Sequence, residues 1–200
     1  MTNQQESRIM LRERVIAWLK DNVSPRRLKH ILGVEQTCIE LATCHRVDPE
    51  QAAQAGLMHD LAKFFPPEKL LYMARSTGLE IDPICENRPH LLHADVSAIV
   101  ARQEFAVTNP EILDAIANHT LGSPQMSLLS CVVYVADTIE PSRGNSSDLK
   151  VIRKAAVKNL YQGVRQASDY SIRYLISNEK IIHPRTIATR NWALNLAKEH

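Results

Sequence analysis

The chain has 200 residues, of which 44% are hydrophobic and 23% charged, with a net charge of +2; that profile excludes a disordered chain and reads as an ordinary globular domain with a real core. Its longest apolar run, Leu128 to Val135, is interrupted by Ser130 and falls well short of the roughly 18–20 residues of a membrane span. The N-terminal Met-Thr-Asn-Gln-Gln-Glu-Ser lacks the basic start and apolar stretch of a secretory leader, so a cytoplasmic location is expected.

The predicted elements are helices. Leu11, Val15, Trp18 and Leu19 form an apolar stripe at 3.6-residue spacing. Ser24-Pro25 starts a second helix, which carries Leu28, Ile31, Val34, Cys38 and Leu41 inward as far as about His45. Asp48-Pro49-Glu50-Gln51 is a strong start for a third, with Asp at the cap, Pro in the first turn and Gln three residues after the cap. This helix is expected to run through His59-Asp60 to about Lys63, where Pro66-Pro67 breaks the pattern. A fourth stops near Gly78, and residues 79–91, punctuated by Pro83 and Pro89, read as a loop. Further helices are expected over about His93 to Glu104, from Asn109-Pro110-Glu111 to near His119, and over 126–139 up to Pro141. Residues 148–178 read as helical with a break near Gln162-Gly163, and Pro184 begins the last helix.

No strand alternation or internal repeat is visible. The expected fold is all-α in one domain over 1–200, with a core of about 24–142 and C-terminal helices of about 148–198 packed onto it. Cys38, Cys44, Cys85 and Cys131 form no CxxC pair and read as reduced, mostly buried thiols. Residues 150–200 hold ten Lys/Arg against three Asp/Glu, and the remainder fourteen against nineteen. A basic C-terminal third suits either an anionic partner or solvated helix faces. Aromatic–basic interleaving of the single-strand-binding kind is missing, so nucleic acid is not an expected partner.

The chemistry concentrates in His59-Asp60 and its company. His30 shares the inward stripe of Val34, Thr37 and Leu41; His59 and Asp60 share a face with Ala52, Gly56 and Lys63. Small residues at 52, 55 and 56 let that helix approach its neighbours closely. His93 opens a helix one turn before Val96 and Ser97, His119 follows Ile112 and Ile116, and Asp137 lies one turn after Val133 inside Val-Val-Tyr-Val-Ala-Asp. A carboxylate in an apolar helix needs a partner. For Asp137 that partner is a cation, either a metal ion or an arginine.

Four imidazoles and two carboxylates exceed what one four-coordinate ion needs, and can hold two ions with a bridging carboxylate. Ligation by N and O without thiolate favours iron or manganese, with zinc, cobalt or magnesium compatible. Two ions about 3.5–4 Å apart activate water for phosphoryl transfer. Lys63, three residues past Asp60, would project towards a phosphate and neutralise charge developing in the transition state; the alternative is a surface lysine with a packed stem. Arg88 and His90 before His93, Thr120 after His119, and Arg143 after Asp137 are candidate substrate contacts. Tyr72 and Phe64 are candidates to stack on a nucleobase, although core packing is the expected role of both.

The order His, His-Asp, His, His, Asp along a helical chain resembles the HD-domain metal phosphohydrolases. Lys29-His30-Ile31-Leu32-Gly33-Val34, His59-Asp60-Leu61-Ala62-Lys63, Leu91-Leu92-His93, Asn118-His119-Thr120-Leu121-Gly122, Met126-Ser127-Leu128-Leu129, Ala136-Asp137-Thr138-Ile139-Glu140-Pro141 and Thr186-Ile187-Ala188-Thr189-Arg190-Asn191 look like the bacterial YqeK family. The resemblance covers about residues 26 to 196. It implies an HD-domain helical bundle that cleaves diadenosine tetraphosphate symmetrically into two ADP at an iron-containing dinuclear centre. The family's metal ligands fall on His30, His59, Asp60, His93, His119 and Asp137; by position, Asp60 and Lys63 are the expected catalytic residues, and the assembly expected is a monomer or homodimer. Two positions depart from the family pattern: Ala94 and Ser142 stand where Gly is usual. The alternatives are an HD-domain nucleotidase or phosphodiesterase on another nucleotide, and a non-catalytic module that binds nucleic acid or a protein partner.

Overall fold

Most helix starts in this chain share one pattern. A Ser, Asp or Asn oxygen accepts from a backbone N–H two or three residues on, and a proline often takes the first helical position, where a missing N–H costs nothing. The computed structural model describes residues 3–199, so Met1, Thr2 and His200 of the expected domain and leader-free start lie outside the described residues. It contains α1 Asn3–Asn22, α2 Pro25–Cys44, α3 Pro49–Met58, α4 Pro67–Ser76, α5 Pro83–Asn87, α6 His93–Phe105, α7 Pro110–Asn118, α8 Leu128–Ile139, α9 Ser147–Lys158, α10 Leu160–Ser177 and α11 Pro184–Glu199, with 3₁₀ turns at Pro89–Leu92 and Pro141–Arg143. Ser24, Asp48, Asp82, Asn109 and Ser127 cap α2, α3, α5, α7 and α8. The fold is all-α, with no strand among the described residues.

Three boundaries differ from expectation. First, α3 ends at Met58 rather than near Lys63, and residues 59–64 continue as hydrogen-bonded turns. The His59 ring takes the Gly56 carbonyl at 2.7 Å, and the backbone beyond closes tighter bonds, Leu61 N to Met58 O and Lys63 N to Asp60 O. Second, the expected loop 79–91 holds α5 and a 3₁₀ turn, because Asp82 caps the backbone N–H groups of Ile84 and Cys85. Third, the break in 148–178 falls at Asn159, which caps α10 through Gln162 N. Gly163 lies inside α10, where a Cβ would stand 2.9 Å from Ala156 Cα. That glycine serves close packing of α9 on α10, not a break.

At the centre lies α8. Leu129 to Ala136 are all buried, the mark of a helix enclosed on every side, and it packs on α2, α3, α7, α9 and α10. Helices α2 and α3 approach closely. A Cβ on Gly56 would stand 2.8 Å from Cys38 Sγ and 3.1 Å from Glu35 Cα. Gly56→Val is therefore expected to lose about 1–3 kcal/mol, the usual scale of overpacking, read as a lower denaturation midpoint at unchanged slope. A midpoint equal to that of wild type would show that the α2–α3 contact is looser than its geometry indicates.

Charged side chains tie the helices together. Arg12 on α1 makes two bonds to the buried Glu35 of α2, at 2.7 and 2.8 Å. The C-terminal arginines are spent internally. Arg165 and Arg190 both reach Asp169, Arg153 binds the carbonyls of Ile139 and Gly144, and Arg185 binds Gly122 O at 2.7 Å. Gly122 has φ +68°, and Thr189 of α11 packs into the space where a Cβ would be. Thus the Thr186–Asn191 segment locks the turn that follows α7. Cys38, Cys85 and Cys131 are buried free thiols, whereas Cys44 is exposed. No helix among the described residues is long and apolar enough to cross a membrane.

Candidate metal centre

Five elements deliver the six residues to one point. His30 comes from the middle of α2, His59 and Asp60 from the end of α3 and its turn, His93 from the first position of α6, His119 from just past α7, and Asp137 from the last turn of α8. The four imidazoles and Asp60 are buried, and the Asp137 side chain is 22% exposed. Ring contacts run His30–His59–His119–His93 with centroids 5.5, 4.9 and 5.0 Å apart.

The ring nitrogens are assigned by what they face. His59, His93 and His119 point Nδ1 at the backbone carbonyls of Gly56, His90 and Ile116, at 2.7, 2.6 and 2.8 Å. A carbonyl only accepts, so each Nδ1 carries the proton and each Nε2 presents a lone pair inward. These three carbonyls are available because each histidine sits where a helix or 3₁₀ turn ends or begins. His30 Nδ1 lies 2.8 Å from the carboxylate of Glu140, with the same consequence.

Inside, the lone pairs crowd. His93 Nε2 and His119 Nε2 are 3.1 Å apart. Asp60 Oδ1 lies 3.5 and 3.6 Å from them, and its Oδ2 lies 3.4 Å from His59 Nε2. Asp137 Oδ1 is 3.0 Å from His30 Nε2 and 3.8 Å from His59 Nε2. His30 Nε2 and His59 Nε2 are buried with no hydrogen-bond partner among the described residues. Buried polar atoms are almost always partnered, so two orphaned lone pairs beside two carboxylates fit a divalent cation. Two ligand groups fall within coordinating reach, His30/His59/Asp60 and Asp60/His93/His119, and they share Asp60.

Electrostatics favour that use. Burial raises the Asp60 carboxyl, but His59, His119 and Lys63 more than offset it and hold Asp60 well below the usual carboxylate range. Burial likewise opposes the charge on Asp137, and His30, Arg143, His59 and His119 pull it well below its ordinary value. Burial, with Lys63 and His119, lowers His93 to about 3. The site therefore presents ionised carboxylates and a neutral His93 imidazole at neutral pH.

Lys63 and Thr120 enter the cluster: Lys63 Nζ and Thr120 Oγ1 each stand 3.0 Å from His93 Nε2. Arg143 Nη2 pairs with Asp137 Oδ1 at 2.6 Å, so Asp137 has the arginine partner and the imidazole cluster together. Arg88 and His90 are exposed at the rim. Partial burial lowers the pKa of His90, helped by Lys63, Arg88 and Lys180, which places these cations in one electrostatic neighbourhood. Phe64 and Tyr72 are 53% and 72% exposed, contrary to a core role. Both follow the end of the buried stretch at Ala62, on a turn and on the outer face of α4.

Two residues without a role in the sequence reading belong here. Arg27, one turn before His30 on α2, donates to Asp60 Oδ2 at 2.9 Å and lies 5.9 Å from the Phe64 ring centroid. Its i,i+3 spacing to His30 was the available signal. Glu140, fully buried behind His30, sits in the Ile139-Glu140-Pro141 motif, but nothing local marks its partner.

An all-helical bundle with this inward His/Asp set defines a class: the HD domain family matches residues 27–142, and the chain belongs to it. It is 35% identical to the symmetrical bis(5'-nucleosyl)-tetraphosphatase of Bacillus subtilis over 93% of this chain and 99% of that protein. It is 31% identical to the protein of the same name from Halalkalibacterium halodurans, over 92% and 98%. The crystal structure of a "predicted HD superfamily hydrolase involved in NAD metabolism" from Clostridium acetobutylicum matches with a TM-score of 0.88 at 34% identity, covering 92% of this chain and 97% of that one.

Proposed function

We propose that this chain is a metal-dependent phosphohydrolase that cleaves diadenosine tetraphosphate, and related dinucleoside polyphosphates, symmetrically into two ADP. The observation that carries the reading is the pair of ligand groups joined at Asp60, two of whose imidazole nitrogens are buried without partners. His30, His59, Asp60 and Asp137 would hold one divalent ion, and Asp60, His93 and His119 a second, with iron the proposed metal and manganese able to substitute. Such a pair supplies water that is ionised near neutral pH and positive charge for the reacting phosphate.

The chain's own groups do the rest. Lys63 Nζ, held 3.0 Å from His93 Nε2, offers an ammonium to the phosphate under attack, and the Thr120 hydroxyl offers a donor beside it. Arg143, Arg88 and His90 line the way out and bind the outer phosphates of a tetraphosphate. One water adds across the central phosphoanhydride: its oxygen bonds to phosphorus, the bridging P–O bond breaks, and each half leaves as ADP. All six proposed ligands come from one chain, so the reading suits a monomer or a homodimer.

Incubation with diadenosine tetraphosphate and Mn²⁺ or Fe²⁺, followed by ion-exchange separation, is expected to yield ADP as the sole product. ATP with AMP would overturn the position of cleavage. No product with either metal would overturn the substrate.

A further inference from the structure

The four inward imidazoles are not held alike. Three give Nδ1–H to a backbone carbonyl, but His30 gives it to a carboxylate, Glu140 Oε1 at 2.8 Å. Much of the surrounding structure serves that one contact. Glu140 also accepts from the backbone N–H of Ser142 at 2.6 Å and from the Ser142 hydroxyl. Gly33, one turn after His30 on α2, clears the space: a Cβ there would stand 2.5 Å from Glu140 Oε2. From α9, Arg153 clamps the backbone on both sides, at Ile139 O, Glu140 O and Gly144 O. Its guanidinium binds these carbonyls and not the carboxylate. Among the described residues the ion-pair partner of the Glu140 carboxylate is the His30 ring.

A carboxylate buried this deeply is costly unless something uses its charge. A metal-ligating imidazole does: a carboxylate on its far nitrogen locks the tautomer and makes the near nitrogen a stronger donor. We propose that Glu140 is a positioning residue for His30 and makes the His30/His59/Asp60 position the tighter of the two ion positions, leaving the Asp60/His93/His119 position to exchange. The inference rests on the two-ion reading above. Charge distribution points the same way. The first position has Asp137 at 3.0 Å from His30 and Glu140 behind it, with Arg143 offsetting Asp137 from outside. The second has an ammonium, Lys63, 3.0 Å from His93 Nε2. Arg27 offsets Asp60, which both positions share. A divalent ion is therefore drawn more strongly to the His30 side.

The test is a Mn²⁺ titration of the full chain stripped by chelator, followed by calorimetry or by the spectrum of free Mn²⁺. Wild type is expected to show two classes of site, one ion each. Glu140→Gln is expected to weaken the tight class by about 10- to 100-fold, the scale for such partners, and to leave the weak class unchanged. Loss confined to the weak class, equal loss in both, or no change would overturn the assignment of Glu140. Ser142→Ala removes one of the donors that hold the Glu140 carboxylate in place, so it is expected to weaken the same class, by less than Glu140→Gln does. That variant decides the matter even if Glu140→Gln fails to fold, since no shift, or a shift in the weak class, overturns the proposal. One ion per chain in wild type would overturn the two-ion reading and this inference together, whereas two classes indifferent to Glu140 overturn only the latter.

Discussion

Asp60→Asn is expected to emerge without tightly bound metal and with turnover of diadenosine tetraphosphate reduced by at least about 10²–10³-fold, the scale for losing even one preorganised electrostatic group. The reason is position. Asp60 is the one residue common to both ligand groups. Its Oδ2 lies 3.4 Å from His59 Nε2 and its Oδ1 lies 3.5 and 3.6 Å from His93 and His119. The amide keeps the shape and removes the charge, so two ions would lose their shared anion at once. Arg27 Nη1, now 2.9 Å from that carboxylate, would then stand as an uncompensated cation beside the site and further oppose metal. Metal content by elemental analysis and turnover should fall together. Two ions per chain with full turnover would remove Asp60 from the centre.

Lys63→Met separates binding of metal from catalysis. Methionine replaces the packed stem of lysine without its charge. The expected result is a kcat lower by about 10²–10³-fold, the cost of one donor aimed at developing charge, with two ions per chain retained. Metal binding on the His93 side should not weaken, since the ammonium removed stands 3.0 Å from His93 Nε2 and opposes a cation there. Lys63→Arg should recover part of the rate. If activity in Lys63→Met instead falls only in step with lost metal, the lysine is structural. The same kinetics in saturating metal decide between the two.

The helices and the candidate residues that the fold gathers were legible in the chain because both rest on local pattern. Caps at Ser24, Asp48 and Asn109, each followed by an apolar period of 3.6, are short-range signals, and all three start helices. Inward facing of His30, His59, His93 and His119 follows from the same period. The close approach at Gly56 follows from a run of small residues, and geometry bears it out.

What local pattern does not carry is the choice of partner. The third helix was expected to continue through Asp60, yet the His59 side chain captures the Gly56 carbonyl and the helix yields to turns. Helical periodicity is blind to a ring competing for a carbonyl of its own turn. The basic C-terminal third suits, on its charge alone, either an anionic partner or solvated helix faces. In the fold Arg153 reaches carbonyls near Ile139, Arg185 reaches Gly122, and Arg165 and Arg190 share Asp169. Net charge counts those arginines, but only packing shows that they are occupied. Glu140 is the clearest case. Its carboxylate meets His30 across 110 positions of chain, in a space left by Gly33 and under a backbone held by Arg153. Residue types and their period, together with the family resemblance, named six candidate ligands, and the fold brings those side chains to one point. Which imidazole is backed by a carboxylate, and which by a carbonyl, was decided only when α2, α8 and α9 packed together, because hydrogen bonds of that kind depend on distances that sequence spacing does not encode.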